Sequence, residues 1–231
     1  MTPLHAPGPG LVRTLPFALF IAVLAVRAQF EGSESAMAGQ GQWLYAAQAG
    51  IAALLLMMWW RKYGELRGPA ALWHCDGRAL VAAVLVGLAV FALWVLPDQP
   101  WMRLGGSDTT FVPLDGDGQR VWPLIAMRAI GAVLVVPLME ELFWRSFLMR
   151  WIDQRDFLQL DPRQVSVRAW WASSAVFALA HDQWLVALVA GLAFGWIYRR
   201  SGRIWLAVLA HAVANLALAL WVVSRGAWVY W

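Results

Sequence analysis

Residues 139–150 read MEELFWRSFLMR and follow a long apolar run, VWPLIAMRAIGAVLVVPL. Two adjacent carboxylates, Glu140 and Glu141, and an arginine, Arg145, therefore stand where a membrane span is expected. A charged side chain at a bilayer centre costs about 2.5–3.5 kcal/mol on insertion scales, so three together need a reason. On a helix Glu141 and Arg145 are four apart and share a face, which reads most simply as an ion pair at the membrane interface. Glu140 is turned about 100° from its neighbour and has no partner at helical spacing. Two further pairs sit in apolar runs: Phe177 and His181 in FALAH, and His211 and Asn215 in HAVAN. A lone histidine near a span end is more often interfacial than catalytic. His211 with Asn215 on one face, amid Ala, Leu and Val, must face the bundle interior or a wet cavity. Interhelical hydrogen bonding is the plainer account of that pair.

One carboxylate, two imidazoles and an amide on three helices can hydrolyse an acyl bond without a serine. A glutamate in a low-dielectric cavity suits a general base. A histidine can help hold the water, and His and Asn donors can meet the oxyanion on a scissile carbonyl. The same set could instead hold Zn²⁺ through Glu140, His181 and His211, with a water in the open position. Spacing leaves both chemistries open. His74, Cys75 and Asp76 in LWHCDGR are metal-competent types without ligand spacing, and His5 lies in a tail. Arg128, inside the apolar run, has no evident role, and the simplest account is that its helix enters the bilayer later than residue 121.

The elements that would position these residues are transmembrane helices. Of 231 residues 61% are apolar and 14% charged, far from the balance of a soluble domain. The reading is all-α: a polytopic transmembrane helix bundle of about seven or eight spans, a single membrane domain over 1–231. Candidate spans are 11–28, 42–60, 79–97, 121–143, 168–182, 184–198 and 204–223. The fifth and sixth abut at His181-Asp182-Gln183 and read as two short tilted spans or one hairpin that does not fully cross. An eighth segment could lie at 145–165. The N-terminal run reads as a first span rather than a cleaved signal. The longest polar connection runs from PDQPWM (97–102) to about residue 120. With the N-terminus cytoplasmic, thirteen arginines and lysines fall inside and four outside, which favours that orientation with an odd number of spans and the C-terminus outside. The basic balance (formal charge +4) therefore reports topology, and no nucleic-acid partner is expected. One cysteine, Cys75, allows no intrachain disulfide, and many of the 17 tryptophans sit at span ends as interface anchors.

EELFWR fits E-E-x-x-x-R, FALAH fits F-x-x-x-H and HAVAN fits H-x-x-x-N. This ordered triple on separate membrane helices resembles the three motifs of the CAAX-protease and bacteriocin-processing (CPBP, ABI) family of intramembrane proteases. The resemblance covers about residues 121–220, the expected catalytic core. Residues 1–100 supply three spans without a signature. The short, tryptophan-rich chain is also similar to the exosortase-associated CAAX prenyl protease-related branch, which would make exosortase-system proteins partners. The resemblance implies Glu140 as general base, His181 as a positioner of water, and His211 and Asn215 as the oxyanion hole. Glu141 and Arg145 would be a supporting ion pair and Phe177 a packing residue. The family is described both as metalloprotease and as metal-independent glutamate protease, so no cofactor is fixed and zinc remains the alternative. The substrate would be a membrane protein or peptide cut near the bilayer. A non-catalytic scaffold or immunity protein of the same fold, or a small proton-coupled transporter, are the competing readings. Convergence makes one demand: Glu140 and His211 lie toward the cytoplasmic side while His181 lies about 20 Å along its helix from Arg168, so the three meet only if that fifth helix is tilted or begins outside the bilayer.

Overall fold

A computed structural model describes residues 7–31, 38–96, 99–104 and 111–231. His5 and parts of the polar 97–120 connection lie outside the described residues. Seven long helices account for most of the rest: α1 Pro9–Glu31, α2 Ala38–Met58, α3 Gly77–Val95, α4 Trp122–Asp153, α5 Val167–Leu179, α6 Trp184–Ser201 and α7 Ile204–Arg225. No strand occurs among the described residues beyond an isolated bridge between Leu114 and Arg120. Four helices (α1, α3, α4 and α7) have stretches long and apolar enough to cross a membrane, and the protein is an integral membrane helix bundle.

Local chemistry sets the boundaries. Asp76 caps α3 by accepting from the backbone N–H groups of Arg78 and Ala79, which gives the LWHCDGR motif a structural role. Ser166 caps α5 in the same way, through Ala169 N–H. Gly202 ends α6 at φ 71°, a left-handed conformation that glycine adopts without strain.

The largest departure from the sequence reading is α4. It runs to Asp153, ten residues past the expected end at 143, so no eighth span occupies 145–165. After Asp153 the chain makes only short 3₁₀ turns, at Phe157–Gln159 and Pro162–Gln164. The charges that ended the apolar run are buried by other parts of the chain. Helix α4 is also irregular: π-helical turns cover Gly131–Val135 and Leu142–Met149, on either side of the glutamate pair. Pro137 accounts for the first, because it lacks an N–H and crowds the carbonyl one turn before it.

This extension resolves the depth mismatch. Ser166 N–H and Oγ bond the Asp153 carboxylate at 2.6 and 2.7 Å, so α4 ends where α5 begins. Glu140 lies thirteen residues before Asp153 and His181 fourteen after Val167, about 20 Å in both cases. Helix α5 has only 13 residues and, at about 20 Å, is too short to cross a hydrocarbon core of about 30 Å. It forms a closely packed hairpin with α6. The tip of that hairpin is tied to the 99–104 segment by Leu104 N–H to Asp182 O (2.9 Å) and Trp184 Nε1–H to Trp101 O (3.1 Å).

Helix α4 is the hub of the bundle, in contact with α1, α2, α5 and α7, while α3 packs along α7. The α3–α7 approach depends on Gly87: a Cβ there would sit 2.4 Å from the carbonyl oxygen of Ala210, the residue before His211.

Candidate active site

Helix α4 carries Glu140 and Glu141 into the bundle, where they are 7% and 0% exposed. Arg145, 2% exposed, places Nε 3.1 Å from Glu141 Oε2. The other oxygen, Glu141 Oε1, lies 3.0 Å from His211 Nδ1 on α7. The expected interfacial pair is thus an interior triad that links two helices. The guanidinium carbon of Arg145 stands 4.6 Å above the Phe177 ring and 5.7 Å from that of Phe194. The Phe194 ring in turn stacks on His211, with centroids 5.0 Å apart and planes 19° apart.

His181 lies just past the end of α5. Its Nδ1 is 2.8 Å from the carbonyl oxygen of Phe177, and the two rings are 4.4 Å apart. A carbonyl can only accept, so Nδ1 carries the proton and Nε2 is left as an acceptor. Asn215, one turn after His211, donates through Nδ2 to Ala132 O at 2.7 Å. An amide nitrogen has a second N–H to offer.

A cavity of about 130 Å³ brings the expected residues together: Glu140, Phe177, His181, His211 and Asn215 all line it. Glu141 and Arg145 stand behind it. The volume suffices for several water molecules, and the site has polar groups to hold them. Glu140 Oε2 is buried and has no hydrogen-bond partner among the described residues. A buried, unpartnered carboxylate oxygen is costly, and such sites are commonly functional.

Among the described residues no group of three or more His, Cys, Asp or Glu side chains is arranged to hold a metal ion. Glu140, His181 and His211 share the cavity, but they do not present three donors to one point, and His211 Nδ1 is taken by Glu141. The zinc arrangement does not fit this geometry.

Several site residues carry no signal in the sequence. Val90, Phe91 and Trp94 of α3 form one cavity wall, and the Trp94 ring meets His181 edge-on at 6.0 Å. Trp94 sits near a span end, where it reads as an interface anchor. Phe17 of α1 stacks on Phe143 at 4.4 Å, and Trp144 meets Phe177 edge-on at 5.6 Å, so aromatic rings connect α1 through α4 to α5.

A second buried cluster holds the far part of α4. Glu65, between α2 and α3, accepts from Arg13 Nε (2.8 Å) and Nη2 (2.6 Å) and from the Ser146 hydroxyl, and Arg150 Nη2 donates to that same hydroxyl at 2.7 Å. Arg13 and Arg150 are 1% and 4% exposed, so these charges, counted by sequence with the loop arginines, belong to the interior. Burial pushes the Glu65 carboxyl up, but the hydrogen bonds and charge of Arg13, helped by Ser146, outweigh it and hold the carboxyl below its ordinary value of 4.5.

The three motifs thus meet at one cavity, in a segment that matches a known family. Residues 121–217 match the family model described as Type II CAAX prenyl endopeptidase Rce1-like. Over that segment the chain is similar to the Rce1-like family. This agrees with the CAAX-protease resemblance. No curated protein and no solved structure matches the chain. The Rce1-like family is one of proteases, which supports a membrane-embedded peptidase here.

Proposed function

We propose that this Rce1-like protein is an intramembrane endopeptidase that hydrolyses a peptide bond of a membrane-associated protein or peptide with water activated by Glu140. The observation that carries the reading is the unpartnered, buried Glu140 Oε2 in a cavity shared with His181, His211 and Asn215. A water between Glu140 and His181 gives one proton to the carboxylate while its other hydrogen is held by His181 Nε2. The oxygen attacks the scissile carbonyl. Asn215 offers its second Nδ2–H to the developing oxyanion, and His211, its ring held through Nδ1 by Glu141, faces the same point as the second oxyanion-hole residue. Glu140 then passes its proton to the leaving amine, and the carboxylate is restored. Arg145 pairs with Glu141, and through that carboxylate the His211 ring stays oriented. The excess of positive charge in the loops on one side favours a cytoplasmic N-terminus.

Comparing the C-termini of membrane proteins in cells carrying the wild type and Glu140→Gln tests this. New C-termini that require Glu140, with both proteins accumulating equally in the membrane, are expected. Identical C-termini in the two strains reject the peptidase reading.

A further inference from the structure

The arginine-rich end of α6 borders a cavity that the Glu140 site does not use. It measures about 250 Å³ and is lined by Arg163, Trp196, Arg199 and Arg200. Two segments build it: the short turns that follow α4, and the last turns of α6. Arg163 lies over the end of α6, its Nε 3.5 Å from where a Cβ on Gly202 would stand. No Asp or Glu side chain lines the cavity among the described residues.

Two of the three guanidiniums are pinned by one edge. Arg199 donates through Nε (3.0 Å) and Nη2 (2.7 Å) to Val165 O, with its guanidinium carbon 5.1 Å from the centre of the Trp170 ring. Arg163 gives the same edge to Asp161, Nε at 3.1 Å from Oδ1 and Nη2 at 2.8 Å from Oδ2. Each keeps Nη1 as a further donor. Arg200 is exposed, and its side chain bonds to no group among the described residues. Three guanidiniums beside the single carboxylate of Asp161 leave the cavity strongly positive. Pre-positioned guanidiniums of this kind suit the oxygens of a phosphate.

The surroundings point to a lipid rather than a soluble anion. Trp196 and Arg200 are four apart on one face of α6, about 6 Å along the axis. The same face continues through Leu192, Val189 and Leu185, and both Val189 and Trp196 are exposed. An indole at the depth of the membrane interface sets Arg200 at the level of lipid phosphates. The apolar stripe beyond it gives an acyl chain a surface to lie on, which a soluble anion would leave unused.

We propose that this cavity binds the headgroup of an anionic phospholipid, its phosphate held by Arg163, Arg199 and Arg200 and an acyl chain along the Trp196 face of α6. The bound phosphate joins the turn ahead of α5 to the end of α6, and so braces the hairpin that carries His181. The site stands independently of the peptidase reading.

The test titrates the delipidated full chain, in uncharged detergent, with phosphatidylglycerol, phosphatidylcholine or inorganic phosphate, and counts bound lipid by native mass spectrometry. Phosphatidylglycerol is expected to bind at least about tenfold more tightly than phosphatidylcholine, whose choline cancels the phosphate charge. Arg200→Gln should weaken phosphatidylglycerol about fivefold, the worth of one arginine beside an anionic lipid, and leave phosphatidylcholine unchanged. Adding Arg163→Gln should remove most of the remaining preference. Arg61→Gln takes away an exposed arginine, in the turn after α2, that does not line the cavity, and should leave the preference intact. A loss at Arg61 equal to that at Arg200 means a diffuse basic surface and overturns the site. Equal binding of the two lipids overturns it too, as does a preference that survives the double substitution. Inorganic phosphate that displaces phosphatidylglycerol at equal concentration makes the site one for a soluble anion and rejects the lipid. If the double variant does not fold, Arg200→Gln against Arg61→Gln still decides.

Discussion

Glu141 and Arg145 allow a quantitative test, because both are buried and each is the other's ion-pair partner. Glu141→Gln leaves a 2%-exposed guanidinium without its counter-ion and gives His211 Nδ1 a neutral acceptor in place of an anionic one. Removing one member of a buried pair costs about 3–5 kcal/mol. Arg145→Met strands the carboxylate instead. It should fall at the lower end of that range, since His211 still bonds Glu141. Replacing both removes the two charges together, which in buried pairs is often close to neutral. The double variant should therefore be more stable than the sum of the singles predicts, by at least about 3 kcal/mol, more than roughly 100-fold in the unfolding constant. Reversible unfolding of the four proteins in mixed detergent micelles measures that coupling. Recovery should not extend to function: with Gln at 141 the His211 ring loses its anionic partner, so cleavage stays low in the double variant. Strictly additive losses, with coupling under about 0.5 kcal/mol, would refute the claim that the pair is one electrostatic unit.

The Glu65 cluster predicts a pH dependence. A carboxyl held below 4.5 when folded contributes stability that is full above that value and lost as pH falls through the folded value. Wild-type protein titrated in detergent should lose stability as pH drops below 4.5, and Glu65→Gln, destabilised throughout, should show a shallower acid slope. At Gly87 an added methyl would meet Ala210 O at 2.4 Å and Val213 Cβ at 2.9 Å. Gly87→Ala should cost about 1–3 kcal/mol by thermal unfolding and lower cleavage by shifting His211, whereas Gly50→Ala, which meets nothing within 4 Å, should do neither.

The helical class and the approximate spans were legible from hydropathy, and the shared cavity of Glu140, His181, His211 and Asn215 from the ordered motifs and the family they resemble. The true end of α4 was not, because Glu140, Glu141, Arg145 and Arg150 depress local hydropathy while the fold buries all four. Their cover comes from far away: Glu65 lies 81 residues from Ser146 and 52 from Arg13, and no local pattern announces such a pairing. The role of Trp94 was hidden for a different reason. A tryptophan at a span end has the same neighbours in sequence whether it faces headgroups or an imidazole. The π-helical turns of α4 are likewise invisible to a count of 3.6 residues per turn; only Pro137 hints at the first.

The wall that α3 supplies bears on where this enzyme begins as a physical object. Val90, Phe91 and Trp94 precede the matched family segment by more than twenty-five residues, yet they seal one side of the Glu140 chamber. A fragment starting at residue 121 would keep all three motifs and lose its roof, admitting acyl chains beside the carboxylate. The boundary drawn by kinship and the boundary drawn by packing do not coincide. The smallest autonomous unit is set by what keeps lipid out, and here that includes the helices without a signature.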